Sequence, residues 1–221
     1  MLRSASAAYV VPFVSFLVYL GVRQIFQLPD LWEQTLCVVV MTAILAFFSR
    51  DVIDFRVRNP LGTILIGALV FMIWVGPDAL FPGYRSHWLF SNSVVGVPKT
   101  GLGTLGQGDS LVLLLRAFRA SLIVPILEEL FWRAWLMRWA IDQDFTKIPL
   151  GTYSTKSFWI VAVLFASEHG SYWEVGLAAG ILYNWWMIRT KSLGDLILAH
   201  GITNALLSAY VVWGEHWEYW A

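Results

Sequence analysis

Apolar residues in this chain run in long, nearly unbroken stretches, and polar residues collect in the gaps between them. Measured against the roughly 20 residues that cross a hydrocarbon core, the stretches at about 7–25, 32–48, 61–80, 111–140, 157–172, 174–189 and 194–213 predict helical spans. The expected fold is all-α: a polytopic transmembrane helix bundle of about seven spans, with eight as the alternative count. The fourth stretch is longer than a simple crossing. The fifth and sixth are joined by little more than Gly170 to Glu174. The first stretch follows Met1-Leu2-Arg3 and resembles a signal peptide, but Arg23-Gln24-Ile25-Phe26-Gln27 comes next instead of small residues, so it is expected to stay as a span. With no internal repeat, low-complexity tract or linker, residues 1–221 read as a single integral-membrane domain.

Composition agrees with the pattern. Of the 221 residues 58% are hydrophobic and 14% charged, and the mean hydropathy is +0.64, outside the range of soluble domains. A net charge of zero without a Lys/Arg run argues against nucleic acid as a partner. The single cysteine, Cys37, lies in an apolar run and is expected to be packing. Arg50, Arg56 and Arg58, then Arg138, Lys147 and Lys156, then Arg189 and Lys191 fall in alternate connections, hence on one side. The positive-inside rule assigns that side to the cytoplasm, which makes the amino terminus cytoplasmic and the carboxyl terminus external. The expected location is the bacterial inner (cytoplasmic) membrane. The long connection 81–109, rich in Gly, Ser and Pro, is then external, either a lid or a surface loop. Trp32, Trp88, Trp173, Trp213, Trp217 and Trp220 stand near span ends, where aromatic belts form. Gly176 and Gly180 make a small-xxx-small pair for close helix packing.

Against this apolar background a few polar residues inside the spans carry the chemistry. The fourth holds Glu128, Glu129 and Arg133. Glu129 and Arg133 are one helical turn apart and can pair, whereas Glu128 points about 100° away and is left for other partners. An unpaired carboxylate at membrane depth is a functional-site hypothesis by default. Phe165 and His169 are one turn apart, as are His200 and Asn204. From the middle of each span, Glu128, His169 and His200 fall within roughly 6 Å of the midplane, so a converging intramembrane polar site is allowed. Asn184 adds a polar group to the sixth span. Glu168 either orients His169 or faces external water. Arg116 and Arg119, near the external end of the fourth span, are expected to snorkel to the interface.

The three motifs Glu128-Glu129-x-x-x-Arg133, Phe165-x-x-x-His169 and His200-x-x-x-Asn204, in this order on successive spans, resemble the signature of the CAAX protease and bacteriocin-processing family of intramembrane proteases, also called type II CAAX prenyl endopeptidases. The resemblance covers residues 111–213, a catalytic-motif core, and leaves the first three spans, 1–110, without a motif. It implies a glutamate-dependent endopeptidase acting on a membrane-associated peptide or protein, with prenylated or otherwise lipid-anchored ones among the candidates. In that scheme Glu128 activates water, His169 holds the water or passes a proton to the leaving amine, and His200 and Asn204 donate to the oxyanion. Glu129, clamped by Arg133, positions the helix. No cofactor is implied. A zinc site of Glu and two His stays open as an alternative, although His-Glu-x-x-His is absent. Two non-enzymatic readings also stand: a small transporter or proton relay titrating at the same residues, and an idle peptide-binding scaffold or immunity protein. The oligomeric state is not legible.

Overall fold

A computed structural model describes residues 5–26, 28–97 and 104–220. Met1 to Arg3 and the Pro98 to Gly103 part of the long connection lie outside the described residues. Seven long helices account for the apolar stretches: α1 (Ala7–Val22), α2 (Asp30–Phe48), α3 (Pro60–Leu80), α4 (Ser110–Trp139), α5 (Thr155–Ser167), α6 (Trp173–Thr190) and α7 (Leu193–Gly214). Four of them, α2, α3, α4 and α7, are long and apolar enough to cross a membrane. α1 and α5 are apolar but shorter, and α6 carries Glu174, Asn184 and Arg189, which lower its hydropathy. No strand occurs among the described residues, and the expected polytopic all-α bundle is borne out.

Local chemistry sets the helix starts. Asp109 accepts from the Leu111 and Val112 N–H groups at the head of α4, and Asn59 accepts from Gly62 N–H at α3, with Pro60 in the first turn. Ser192 caps α7, and three residues on Asp195, fully buried, accepts from the backbone N–H of Arg58 and Asn59 and from the Thr63 hydroxyl. That carboxylate ties the start of α7 to the start of α3. Further along the same interface Gly67 lets α3 approach within van der Waals limits, since a Cβ there would stand 2.6 Å from the Ala199 carbonyl. Thr203 completes the seam by donating to Gly67 O at 2.8 Å.

α4 is 30 residues long, about 45 Å by the usual rise. It winds as a π-helix at Arg119–Ile123 and again at Leu130–Leu136. Pro125 explains the first. The Val124 N–H reaches back to Arg119 O, and Pro125 offers no N–H, so the Ala120 carbonyl is left for another donor. Asn204 of α7 supplies it, Nδ2 to O at 2.8 Å. Beside it Gly201 fits against Ser121 O, where a Cβ would stand 2.7 Å away.

Two expectations fail here. α5 ends at Ser167, so His169 lies in the turn to α6, two residues beyond the helix, because Gly170 takes a positive φ of 52° and turns the chain. Trp220 is no belt anchor: it is buried against Val112 and Val211, while Trp32, Trp88 and Trp213 are exposed as expected.

Candidate active site

Glu129 and Arg133 are both fully buried, and Arg133 Nη1 donates to Glu129 Oε1 at 3.0 Å. A pair at such depth depends on further partners, and these reach all but Glu129 Oε2 and Arg133 Nη2. Arg133 Nε donates to Asn184 Oδ1 at 3.2 Å, and Asn184 in turn donates to Phe158 O, so α6 and α5 hold the guanidinium from the far side. The guanidinium carbon sits 4.3 Å from the centre of the Phe165 ring.

Glu129 has a second partner that sequence spacing did not point to. His200 Nδ1 lies 2.9 Å from Glu129 Oε1, and the opposite nitrogen, Nε2, lies 3.9 Å from Glu128 Oε2. One imidazole therefore spans the two neighbouring carboxylates. Because a carboxylate accepts, the Nδ1 proton goes to Glu129 and Nε2 faces Glu128. Glu128 Oε2 has no hydrogen-bond partner. The His200 ring is held flat by Tyr183, stacked at 5.3 Å, whose hydroxyl donates to Thr203.

His169 is fixed from the other side of the site. Its Nδ1 stands 2.6 Å from Phe165 O, and a carbonyl can only accept, so Nδ1 carries the proton and Nε2 is left as the basic nitrogen. The Phe165 ring packs against the imidazole at 4.7 Å and Trp74 of α3 meets it edge-on at 5.1 Å. Gly176 makes room for it, because a Cβ there would press on the His169 ring at 3.2 Å. The Gly176 and Gly180 pair thus serves α5 and its following turn: Gly180 faces Ala162 and Phe165.

Glu128, His169, His200 and Asn204 line one cavity of about 320 Å³, together with Phe165, Arg119 and Glu168. Glu129 and Arg133 stand behind the wall. Glu168 does not orient His169; it accepts from Trp132 Nε1 at 3.0 Å. The Asn204 amide already serves Ala120 O, which engages one of its two N–H groups. Arg116 and Arg119 do not snorkel. Both are buried, at 4% and 6% exposure. Arg116 Nη2 donates to Trp220 O at 2.6 Å with the guanidinium over the Trp220 ring, while Arg119 faces the cavity. No group of three or more His, Cys, Asp or Glu among the described residues is arranged to hold a metal ion.

The connection after α3 buttresses the His169 turn. Arg85 donates to Asp78 and to Ser171 O, pairs with Glu174 at 2.6 Å and stacks over Tyr172 at 4.2 Å. Trp173 Nε1 donates to Leu89 O, and Ser171 donates to Val95 O. Nothing in the sequence singles out Arg85, which is one of two cations, with Lys99, in a connection of Gly, Ser and Pro. Tyr183 and Thr203 were equally hard to place, since an aromatic or a small polar residue in a span is ordinarily packing, whereas Asn184 stood out as the polar group of its span without a named partner.

A bundle of apolar helices around paired carboxylates, two imidazoles and an amide defines a class: an integral membrane protein with a polar site inside it. Residues 110–206, somewhat less than half of the chain, match the family model described as type II CAAX prenyl endopeptidase Rce1-like. The match falls on the segment that carries the three motifs, and its description agrees with the resemblance they bear. No curated protein and no solved structure matches the chain.

Proposed function

We propose that this protein is an intramembrane endopeptidase that hydrolyses a peptide bond of a membrane-associated, lipid-anchored or membrane-inserted substrate. The observation that carries the proposal is that Glu128, His169, His200 and Asn204, from three separate sequence motifs, line a single cavity.

Glu128 takes a proton from water as the oxygen attacks the scissile carbonyl. His169, with Nδ1–H tied to Phe165 O, accepts a hydrogen bond from that water at Nε2 and relays to the leaving amine the proton that Glu128 took, which returns Glu128 to its carboxylate. The oxyanion of the tetrahedral intermediate accepts from the second N–H of Asn204 and from a proton carried on His200 Nε2. Glu129 orients His200 through Nδ1 and is itself held by Arg133, so these two position and do not touch the reacting atoms.

The cavity takes residues from the C-terminal halves of α1 and α3 and from the turn after α5, so it lies toward the end of the bundle opposite the basic connections. By the positive-inside rule we place it in the external half of the membrane.

A panel of quenched-fluorescent peptides with prenylated or acylated anchors, offered to the protein in liposomes, tests the assignment. Wild type cleaves at least one, a metal chelator leaves the rate unchanged, and His169→Ala slows cleavage by about 10²-fold or more while the protein still inserts. No cleavage of any anchored peptide, or full activity in His169→Ala, overturns it.

A further inference from the structure

Arg119 has no role in the proposed hydrolysis, yet it is the costliest kind of residue to leave in such a wall. It is 94% buried, from a 6% exposure, and it lines the same cavity as Glu128. Its Nε and Nη1 have no hydrogen-bond partner, and no carboxylate pairs with it among the described residues. The neighbours from α1 and α2 are Tyr19 and Cys37, a phenol and a thiol, which bring no negative charge. Glu33, an acid of this corner, is taken by Arg23 at 3.2 Å. Arg116 lies within electrostatic reach and adds to the positive charge. A cation buried without a counter-ion is strongly unfavourable unless an anion arrives to pair with it.

We infer that Arg119 is a specificity-determining residue that receives the C-terminal carboxylate of the peptide substrate. Nine residues separate it from Glu128 on α4, about 13 Å along the axis. It is therefore too far to touch the reacting atoms and acts on binding. A carboxylate matches the guanidinium fork with two parallel hydrogen bonds. The neighbouring Arg116 already binds a main-chain oxygen, the Trp220 carbonyl, at 2.6 Å, so peptide backbone reaches this arginine pair in the protein's own fold.

This inference rests on the endopeptidase reading, and its test separates the two. Two anchored peptides are compared in liposomes, identical except that one ends in a free carboxylate and the other in a carboxamide. Wild type is expected to show a KM for the acid at least 10-fold below that for the amide, with similar kcat. Arg119→Gln brings the ratio of the two KM values close to one, and Arg119→Lys retains part of it. A ratio taken on one preparation does not depend on how much of the variant is folded. The same pair is then bound, without cleavage, to Glu128→Gln protein and to the Glu128→Gln, Arg119→Gln double variant. Acid preference in binding that vanishes with Arg119 supports the carboxylate subsite even if no peptide is ever cut, in which case only the endopeptidase reading falls. Equal KM and equal binding for acid and amide in wild type overturn the inference. So does an Arg119→Gln defect that appears only in vesicles containing phosphatidylglycerol, since the anion would then be a lipid phosphate.

Discussion

At the scale of single residues the two adjacent glutamates have opposite duties. Glu129 is fully buried between Arg133 and His200, so Glu129→Ala leaves a buried guanidinium without its carboxylate and should destabilise the protein by about 3–5 kcal/mol. Glu128 Oε2 has no hydrogen-bond partner to lose, so Glu128→Gln should leave stability within about 1 kcal/mol of wild type. Chemical or thermal unfolding in detergent measures both, and equal destabilisation by the two would contradict the division. The Glu129 and Arg133 pair was legible in the sequence because i, i+4 spacing on a helix fixes it. The bridge from Glu129 to His200 was not, since 71 residues separate them and only the packing of α4 on α7 brings them together. The same limit hid Arg119: an arginine near a span end reads as an interfacial cation until its burial is seen.

At the scale of elements, the site depends on how closely helices approach. Helix extents were legible within a few residues for six of the seven stretches, because hydrophobic length tracks helix length. The exception was the end of α5, where an apolar turn around Gly170 looks like more helix. Gly176 accommodates the imidazole in that turn. Gly176→Val should push the His169 ring aside and lower kcat by about 10-fold or more, with insertion unaffected. Cleavage kinetics in liposomes check this, and an unchanged kcat would show that the ring does not need this seat. Arg85 anchors the same turn from the loop side through Asp78, Glu174 and Ser171. Arg85→Ala should cost about 3 kcal/mol of stability, and it should loosen the His169 turn, seen as faster amide hydrogen exchange over residues 168–174. Exchange unchanged in that segment would remove the loop from the account. The two π-helical stretches of α4 could not be foreseen as such, although Pro125 marks where the first must fall.

At the scale of the whole molecule, the bundle surrounds a cavity of about 320 Å³ with polar groups set in largely apolar walls, and the basic connections mark the opposite face. That arrangement predicts topology. In a Cys37→Ser background, Ser93→Cys should react with a membrane-impermeant maleimide added outside intact cells, and Gln143→Cys should react only after lysis; the reverse pattern would place the cavity toward the cytoplasm. The central claim, however, is chemical: a buried glutamate activates water for peptide hydrolysis inside the membrane. The most direct measurement is the single-turnover rate of cleavage of an anchored peptide by wild type and by Glu128→Gln in liposomes, with folding of both verified. The account predicts a fall of about 10²- to 10⁴-fold in the variant, at unchanged substrate affinity. A Glu128→Gln protein that cleaves at the wild-type rate would contradict it.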